Sequence, residues 1–314
     1  MSFAPADVTV VISAYNAAAY IGTALGSVAA QRVPPGAVVV VDDGSADDTV
    51  AVASAWADVL PVEVVALGEN RGAGHARAVG VERARTALIA ILDSDDYWLP
   101  DHLDTMLDTY ARAGGLVTAQ ELWWVDGLGI GPTDERWRTV PPERDQLRGI
   151  IDHCFVSIGT LFSRDDCMRA GNFRAIGNED WDLWIRMIRR GARVTRGPHP
   201  TFLYQIRASS VSFGTKAFDW NMDVLERAIE EAESPAERRW AEESMRRKQA
   251  QRSLAASYEL ARAGRAMAAR GAALKALHGN AHTAQRAAFM VMFPGLGERL
   301  HERLLHDLSR RVTR

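Results

Sequence analysis

Four short runs near the start of the chain are apolar at nearly every position, not at every second one: VTVVIS (8–13), AVVVVDD (37–43), VEVVAL (62–67) and ALIAILD (87–93). A strand with one wet face alternates apolar and polar residues, whereas a strand covered on both faces does not, and that pattern belongs to parallel sheets flanked by helices. The stretches between the first three runs, AAAYIGTALGSVAAQ and ADDTVAVASAWAD, carry apolar residues at helical spacing, and Ser45, Asp47 and Asp48 are capping candidates for the second. The order is therefore βαβαβαβ. It predicts an α/β fold with a Rossmann-like, doubly wound, mostly parallel sheet whose ligand crevice lies beyond the carboxyl ends of the strands.

The polar clusters agree with that placement. SAYN follows the first strand, DDGS the second, GENRGAG the third and DSDD the fourth. Four strand ends thus carry carboxylates, amides, hydroxyls and glycines toward one crevice. From about 116 to 213 the pattern loses regularity, and this stretch is read as the second half of the same domain, covering the crevice. After about 218 the composition turns to Ala, Arg and Glu with few β-branched residues, which predicts a helical appendage. LAASYELARAGRAMAARGAALKAL within it reads as a helical hairpin.

Composition removes several function classes. A chain of 314 residues with 47% hydrophobic and 25% charged residues has the make-up of an ordinary globular protein. Lys+Arg 37 against Asp+Glu 40 gives a formal charge of -3, so the chain has no overall basic footprint for nucleic acid. Cys154 and Cys167 are too few for a disulfide framework or a paired-cysteine metal site, and two buried thiols are expected. The N-terminal MSFAPADVTVVISAYN has neither a basic start nor a cleavage motif, and AAFMVMF (287–293) is too short to span a bilayer. A cytoplasmic protein is expected, with possible peripheral contact at the inner face of the membrane.

Each motif has a plain alternative. DDGS could be a local turn, but it links a strand to a helix, where Asp43 can accept a hydrogen bond from a nucleobase N–H. NRGAGHARAVG fails the dinucleotide fingerprint because Arg77 occupies its third small-residue position; an arginine there suits a phosphate or nucleotide, or else a solvated surface. DSDD has too many carboxylates for a helix cap, and Trp98 and Asp104 occupy the glycine and glutamate positions of an EF-hand calcium loop. Hard oxygen ligands at alternating positions suit Mg²⁺ or Mn²⁺ shared with substrate phosphates. In GNEDWDLWIRM, Glu179, Asp180 and Asp182 head a helix, where acid is favoured by the dipole; beside Trp181 the carboxylates also make a general-base candidate.

Taken in order and spacing, VTVVISAYNAAAYIGTALGSVAAQ, VVVVDDGSADDT, NRGAGHARAVGVERA, IAILDSDDYWLPDHL and NEDWDLWIR resemble the family 2 glycosyltransferases of the GT-A fold, over about residues 1–215. The resemblance implies an inverting glycosyltransferase that takes its sugar from a nucleotide-sugar donor, commonly a UDP-sugar, and uses Mn²⁺ or Mg²⁺. It puts Ser13, Tyr15 and Asp43 at the nucleoside, Arg77 on the nucleotide, and Asp93, Ser94 and Asp95 at the donor. The DxD aspartates are Asp93 and Asp95, the second the direct metal ligand, and Asp180 is the catalytic base. Glu179, Trp181 and Arg207 are acceptor or loop candidates. The domain reading is 1–115 for the donor, 116–215 for a saccharide or glycoconjugate acceptor, and 216–314 as a C-terminal all-helical region.

The chain also departs from that family. Members often carry Tyr-Arg, then His two residues later, then paired Ser; here Tyr204, Ser210 and Ser212 match, while Gln205 and Arg207 replace the Arg and His. GNFR (171–174) replaces a more usual Gly-Gly-Phe-Asp. A nucleotidyltransferase, the rival enzyme class, would want a basic Gly-rich loop after the first strand, and SAYNAAAYIG has none. A non-catalytic nucleotide-binding scaffold is the third reading. ERLHERLLHDLSRRVTR (298–314) is compatible with a membrane-surface helix or a homodimer contact.

Overall fold

The computed structural model describes residues 3–125, 129–132, 139–207 and 215–292. The chain divides into two compact units, Met1–Ala208 and Ser209–Arg314.

In the first unit the four apolar runs become β1 (Val8–Ala14), β2 (Ala37–Asp42), β3 (Val62–Ala66) and β4 (Leu88–Asp93). Between them run α1 (Ile21–Ala29), α2 (Thr49–Ser54) and α3 (Ala73–Arg83). β5 (Tyr97–Trp98), α4 (His102–Ala113), β6 (Leu116–Val125) and β7 (Gly129–Pro132) follow. The unit continues through α5 (Gln146–Asp152), β8 (Thr160–Ser163), α6 (Arg164–Arg169), α7 (Glu179–Arg189) and β9 (Val194–Ile206). The sheet order is β3-β2-β1-β4-β8-β6-β9-β5, with β7 on β6.

The first four strands are parallel, and Val10, Val11, Ile12, Val38, Val40, Val41, Ile89 and Ile91 are almost fully buried, as strands covered on both faces must be. α3 lies close on β1 because Gly80 faces Val11: a Cβ at Gly80 would meet Val11 Cγ1 at 2.3 Å. Beyond β4 the sheet changes character. β6 and β9 pair parallel, but β4–β8, β6–β8, β6–β7 and β5–β9 are antiparallel, so the expectation of a mostly parallel sheet becomes a mixed one. An unbroken apolar run reports burial of both faces and says nothing of the direction of its neighbour.

Register, more than composition, builds the crevice. Ser13 on β1 stands opposite Asp93 on β4, and Ala14 stands opposite Asp42 on β2. The polar residues that follow these strands therefore leave the sheet at one level. β1 is also the strand at which chain order turns from β2 and β3 to β4, the switch point where open α/β sheets leave room for ligand.

The second unit is helical: α8 (Thr215–Glu230), α9 (Pro235–Arg262), α10 (Ala266–Ala276) and α11 (Ala281–Met292). Ser234 caps α9 by accepting from Glu237 N at 3.1 Å, while the Glu237 carboxylate accepts from Glu233 N at 3.0 Å. Leu254, Tyr258, Ala273, Ala276, Ala287 and Met290 form a small core, so the hairpin expected from composition is present as α9 and α10. Among the described residues no helix is long and apolar enough to cross a membrane. Residues 298–314, and Ser210 and Ser212, lie outside the described residues.

Candidate active site

Three strand ends are tied together by hydrogen bonds. Asn16 sits in the left-handed region (φ 47°); its N–H donates to Ser45 Oγ at 2.8 Å, and its Oδ1 accepts from Ala46 N at 2.9 Å. Ala17 N donates to Thr49 Oγ1 at 2.8 Å, so the loops after β1 and β2 form one surface. Gly44 turns at φ 77° against the backbone of Glu69 and Asn70, with no room for a side chain. Asp43 is buried and accepts from Arg71 N at 3.0 Å and Gly72 N at 2.7 Å, which fastens the loop after β3 to the one after β2. DDGS is thus a clasp between loops and not a local hairpin turn. Tyr15, in the loop after β1, is half exposed, and Ser13, near the end of β1, is partly buried.

Asp42 escaped the sequence reading. It is buried, its Oδ2 accepts from Ser45 N at 3.0 Å, and its Oδ1 is buried without a hydrogen-bond partner. The doubled aspartate at the end of an apolar strand was the available signal.

The acidic row follows β4. Arg77, on α3, is buried and ion-paired to both Asp93 and Glu179, which removes the surface-arginine alternative. Its guanidinium joins the DSDD turn to the head of α7. Burial opposes its charge, and Asp93 and Asp180 more than offset that effect. At the other end of the row, Asp95 pairs with Arg207 of the region following β9, whose guanidinium also lies 4.2 Å from the centre of the Tyr20 ring. Ser94, between the two, is partly buried. Burial, then the charge of Asp93, raises the Asp95 carboxyl above its ordinary range, and Arg207 works against the rise.

Asp96 is the most buried of the three. Its N–H closes the turn on Asp93 O at 3.1 Å, its Oδ1 accepts from Gln205 N at 2.8 Å, and its Oδ2 is buried without a hydrogen-bond partner. Burial and the charges of Asp93 and Asp95 push its carboxyl well above the ordinary range. Trp98, two residues beyond Asp96, is fully buried and stacks on His102 with ring centres 4.2 Å apart.

α7 brings its head to the same place. Asn178, in the left-handed region (φ 52°, ψ 41°), launches it, and Asp180 Oδ1 accepts from Trp181 N at 2.8 Å. Burial raises the Asp180 carboxyl above its ordinary value; Arg77 and the Trp181 N–H oppose this, and Asp93 adds to it. Close approach of the two halves depends on Gly74, whose added Cβ would meet Arg174 O at 2.0 Å and Glu179 Cβ at 2.9 Å.

Three candidate residues on this helix have other work. Trp181 is buried and donates its indole N–H to Ile150 O at 2.6 Å, so the acceptor reading for it is corrected: the ring packs in the core and offers no face to a sugar. Asp182 is buried between Arg174 at 3.0 Å and Arg186 at 2.6 Å, a structural pairing. Glu179 is buried on Arg77, a partner to the site's cation and not an exposed group. In GNFR, Asn172 takes a left-handed φ of 57° and donates to Ala78 O at 3.1 Å, tying this loop to α3.

A second polar cluster was missed because its members are scattered in an irregular stretch. Glu121 on β6 accepts from Ser157 Oγ at 2.6 Å and Trp123 Nε1 at 3.2 Å, and burial raises its carboxyl. Its charge reaches both Arg196 and Asp96.

Among the described residues no three His, Cys, Asp or Glu side chains converge closely enough to hold a metal ion by themselves. The row does fit a cation of another kind. The charge of Asp93 raises Asp95, both raise Asp96, and Asp96 carries an orphaned buried oxygen, so the row fits a shared positive charge whose remaining ligands come from a substrate.

Residues 9–169, just over half of the chain, match the family described as Glycosyl transferase family 2. The chain belongs to this family. It is 33% identical to the succinoglycan biosynthesis protein ExoO of Rhizobium meliloti over 231 residues, covering 66% of this chain and 62% of that relative. It is 23% identical to WfaP of Escherichia coli, named a UDP-Glc:alpha-D-GlcNAc-diphosphoundecaprenol beta-1,3-glucosyltransferase, over 65% of this chain and 79% of that one. The fold is the GT-A type. Residues 1–349 of S. aureus TarS in complex with UDP-GlcNAc superpose with a TM-score of 0.67 at 17% identity, covering 94% of this chain and 92% of that one. The mannosyltransferase PcManGT from Pyrobaculum calidifontis, in complex with GDP-Man and Mn²⁺, superposes with a TM-score of 0.62 at 20% identity, covering 98% and 85%.

Proposed function

We propose that this chain is an inverting glycosyltransferase that moves a sugar from a nucleotide-sugar donor, a UDP-sugar in the first instance, to a hydroxyl of a glycan or glycoconjugate. The observation that carries the reading is the Arg77 bridge, which brings the acidic turn after β4 and the head of α7 to one guanidinium. In it, the surface formed by Ser13, Tyr15 and Asp43 takes the nucleoside. Asp93 and Asp95 would hold Mn²⁺ or Mg²⁺, which supplies Lewis-acid neutralisation of the leaving diphosphate.

Asp180 takes the proton of the acceptor hydroxyl while that oxygen attacks the anomeric carbon, and the bond to the diphosphate breaks on the opposite side. Its raised pKa makes it a stronger base than a solvated carboxylate, as the step requires. Donor binding is assigned to residues 1–115 and acceptor selection to 116–215, with Glu121 a candidate on the acceptor side. A cytoplasmic location, and contact with a membrane or a second copy through the C-terminal helices, are proposed with it.

The test is nucleotide release from UDP-, dTDP- and GDP-sugars with Mn²⁺ or Mg²⁺ and pooled acceptors. The proposal expects metal-dependent release that Asp95→Ala abolishes together with donor binding. A protein that binds no nucleoside diphosphate and ignores metal overturns it.

A further inference from the structure

We propose that Arg207 is a resident counter-cation for Asp95, so that a divalent cation joins the site only together with the donor diphosphate; this rests on reading Asp95 as a cation ligand. Its guanidinium is ion-paired to Asp95 and stacked on the Tyr20 ring. Tyr20 immediately precedes α1, which gives the stack a fixed support. Two residues earlier, Gln205 N donates to Asp96, so the end of β9 is fastened to the acidic row twice.

A divalent ion bound at Asp95 would lie within a few ångströms of this guanidinium, where like charges repel strongly even in a well-screened site. Cation and Arg207 therefore compete for one carboxylate. A diphosphate relieves the competition because it supplies anionic oxygens to both: paired acceptors for the planar guanidinium and hard ligands for the metal. Reciprocity follows from linkage: the nucleotide strengthens cation binding by the same factor as the cation strengthens nucleotide binding. Asp93 has no such exchange, since its partner Arg77 is buried and shared with Glu179.

The experiment measures Mn²⁺ binding to the full chain by the electron paramagnetic resonance of free Mn²⁺, first without nucleotide and then with UDP or GDP. Arg207→Gln is expected to bind Mn²⁺ alone on the order of tenfold more tightly than the unaltered chain. Arg207→Lys, which keeps the charge, stays near the unaltered chain. Nucleotide should then strengthen Mn²⁺ binding more in the unaltered chain than in Arg207→Gln. A damaged fold cannot tighten metal binding, so the gain isolates the charge effect. Equal or weaker Mn²⁺ affinity in Arg207→Gln overturns the proposal. Asp95→Asn keeps the two readings apart: unchanged Mn²⁺ binding in its nucleotide-loaded form would instead remove Asp95 as a cation ligand, and the proposal with it.

Discussion

The acidic row after β4 is closed by an arginine at each end, and the two are built differently. Arg77 is withdrawn from solvent, divided between Asp93 and Glu179, and held on a helix pressed against β1. Arg207 keeps about a fifth of its side chain exposed and has Asp95 and the Tyr20 ring as its neighbours. A guanidinium shared by the buried Glu179 and the partly buried Asp93 cannot leave without stranding both. One that rests on a ring and pairs with a partly exposed carboxylate can. The inner end is thus framework for the chemistry, and the outer end is suited to exchange.

That contrast can be broken at several strengths. Asp180→Asn should lower kcat/KM by about 10²- to 10⁴-fold, the range for removing a general base, while nucleotide affinity is kept. Loss of nucleotide binding in that variant would move Asp180 to the donor side. Arg77→Met should cost roughly 3–5 kcal/mol of unfolding free energy, because it leaves the buried Glu179 and the partly buried Asp93 uncompensated. Denaturant midpoints measure it, and a change under 1 kcal/mol would deny the framework role. Gly74→Ala should cost about 1–3 kcal/mol by forcing α3 away from Arg174 and Glu179, with a fall in kcat exceeding any rise in KM. Arg207→Gln should change stability by less than about 1 kcal/mol, as expected of a partly exposed pair.

Protonation provides a finer probe. The base works ionised, and burial raises the Asp180 carboxyl above its ordinary 3.8, so kcat/KM should fall as pH drops through a point above that value. Arg77 favours the ionised form. Arg77→Gln should therefore move this acid limb to higher pH in whatever fraction remains folded, and a shift to lower pH would contradict the assignment.

The donor side was readable because its signals are local. Unbroken apolar runs marked β1, β2 and β4, and each was followed at once by the residues that now share a surface: Tyr15 and Asn16, Asp43 and Gly44, Asp93 to Asp96. Asp180 stood out as the base candidate only through its neighbours in NEDWDLWIR, as part of the resemblance. What sequence could not convey was partnership across distance. Arg77 and Glu179 are 102 positions apart, so periodicity could say neither that they meet nor that both would be buried. The same holds for Glu121 with Ser157, and for Trp181, whose bond to Ile150 O turns an apparent site aromatic into a core one. β9 carries two prolines, Pro198 and Pro200, and shifts in register against β6 around Gln120, and left no period to follow.

Gly74 bears on how such chains can be recombined. Because α3 touches the Arg174–Glu179 segment through a missing side chain, the half that holds α3 and the half that holds Asp180 are matched surfaces. A chimera that exchanged residues 1–115 for those of a relative would transplant one face of that contact without the other. Donor preference should therefore be portable only when residues 72–77 and 172–180 travel as a single cassette.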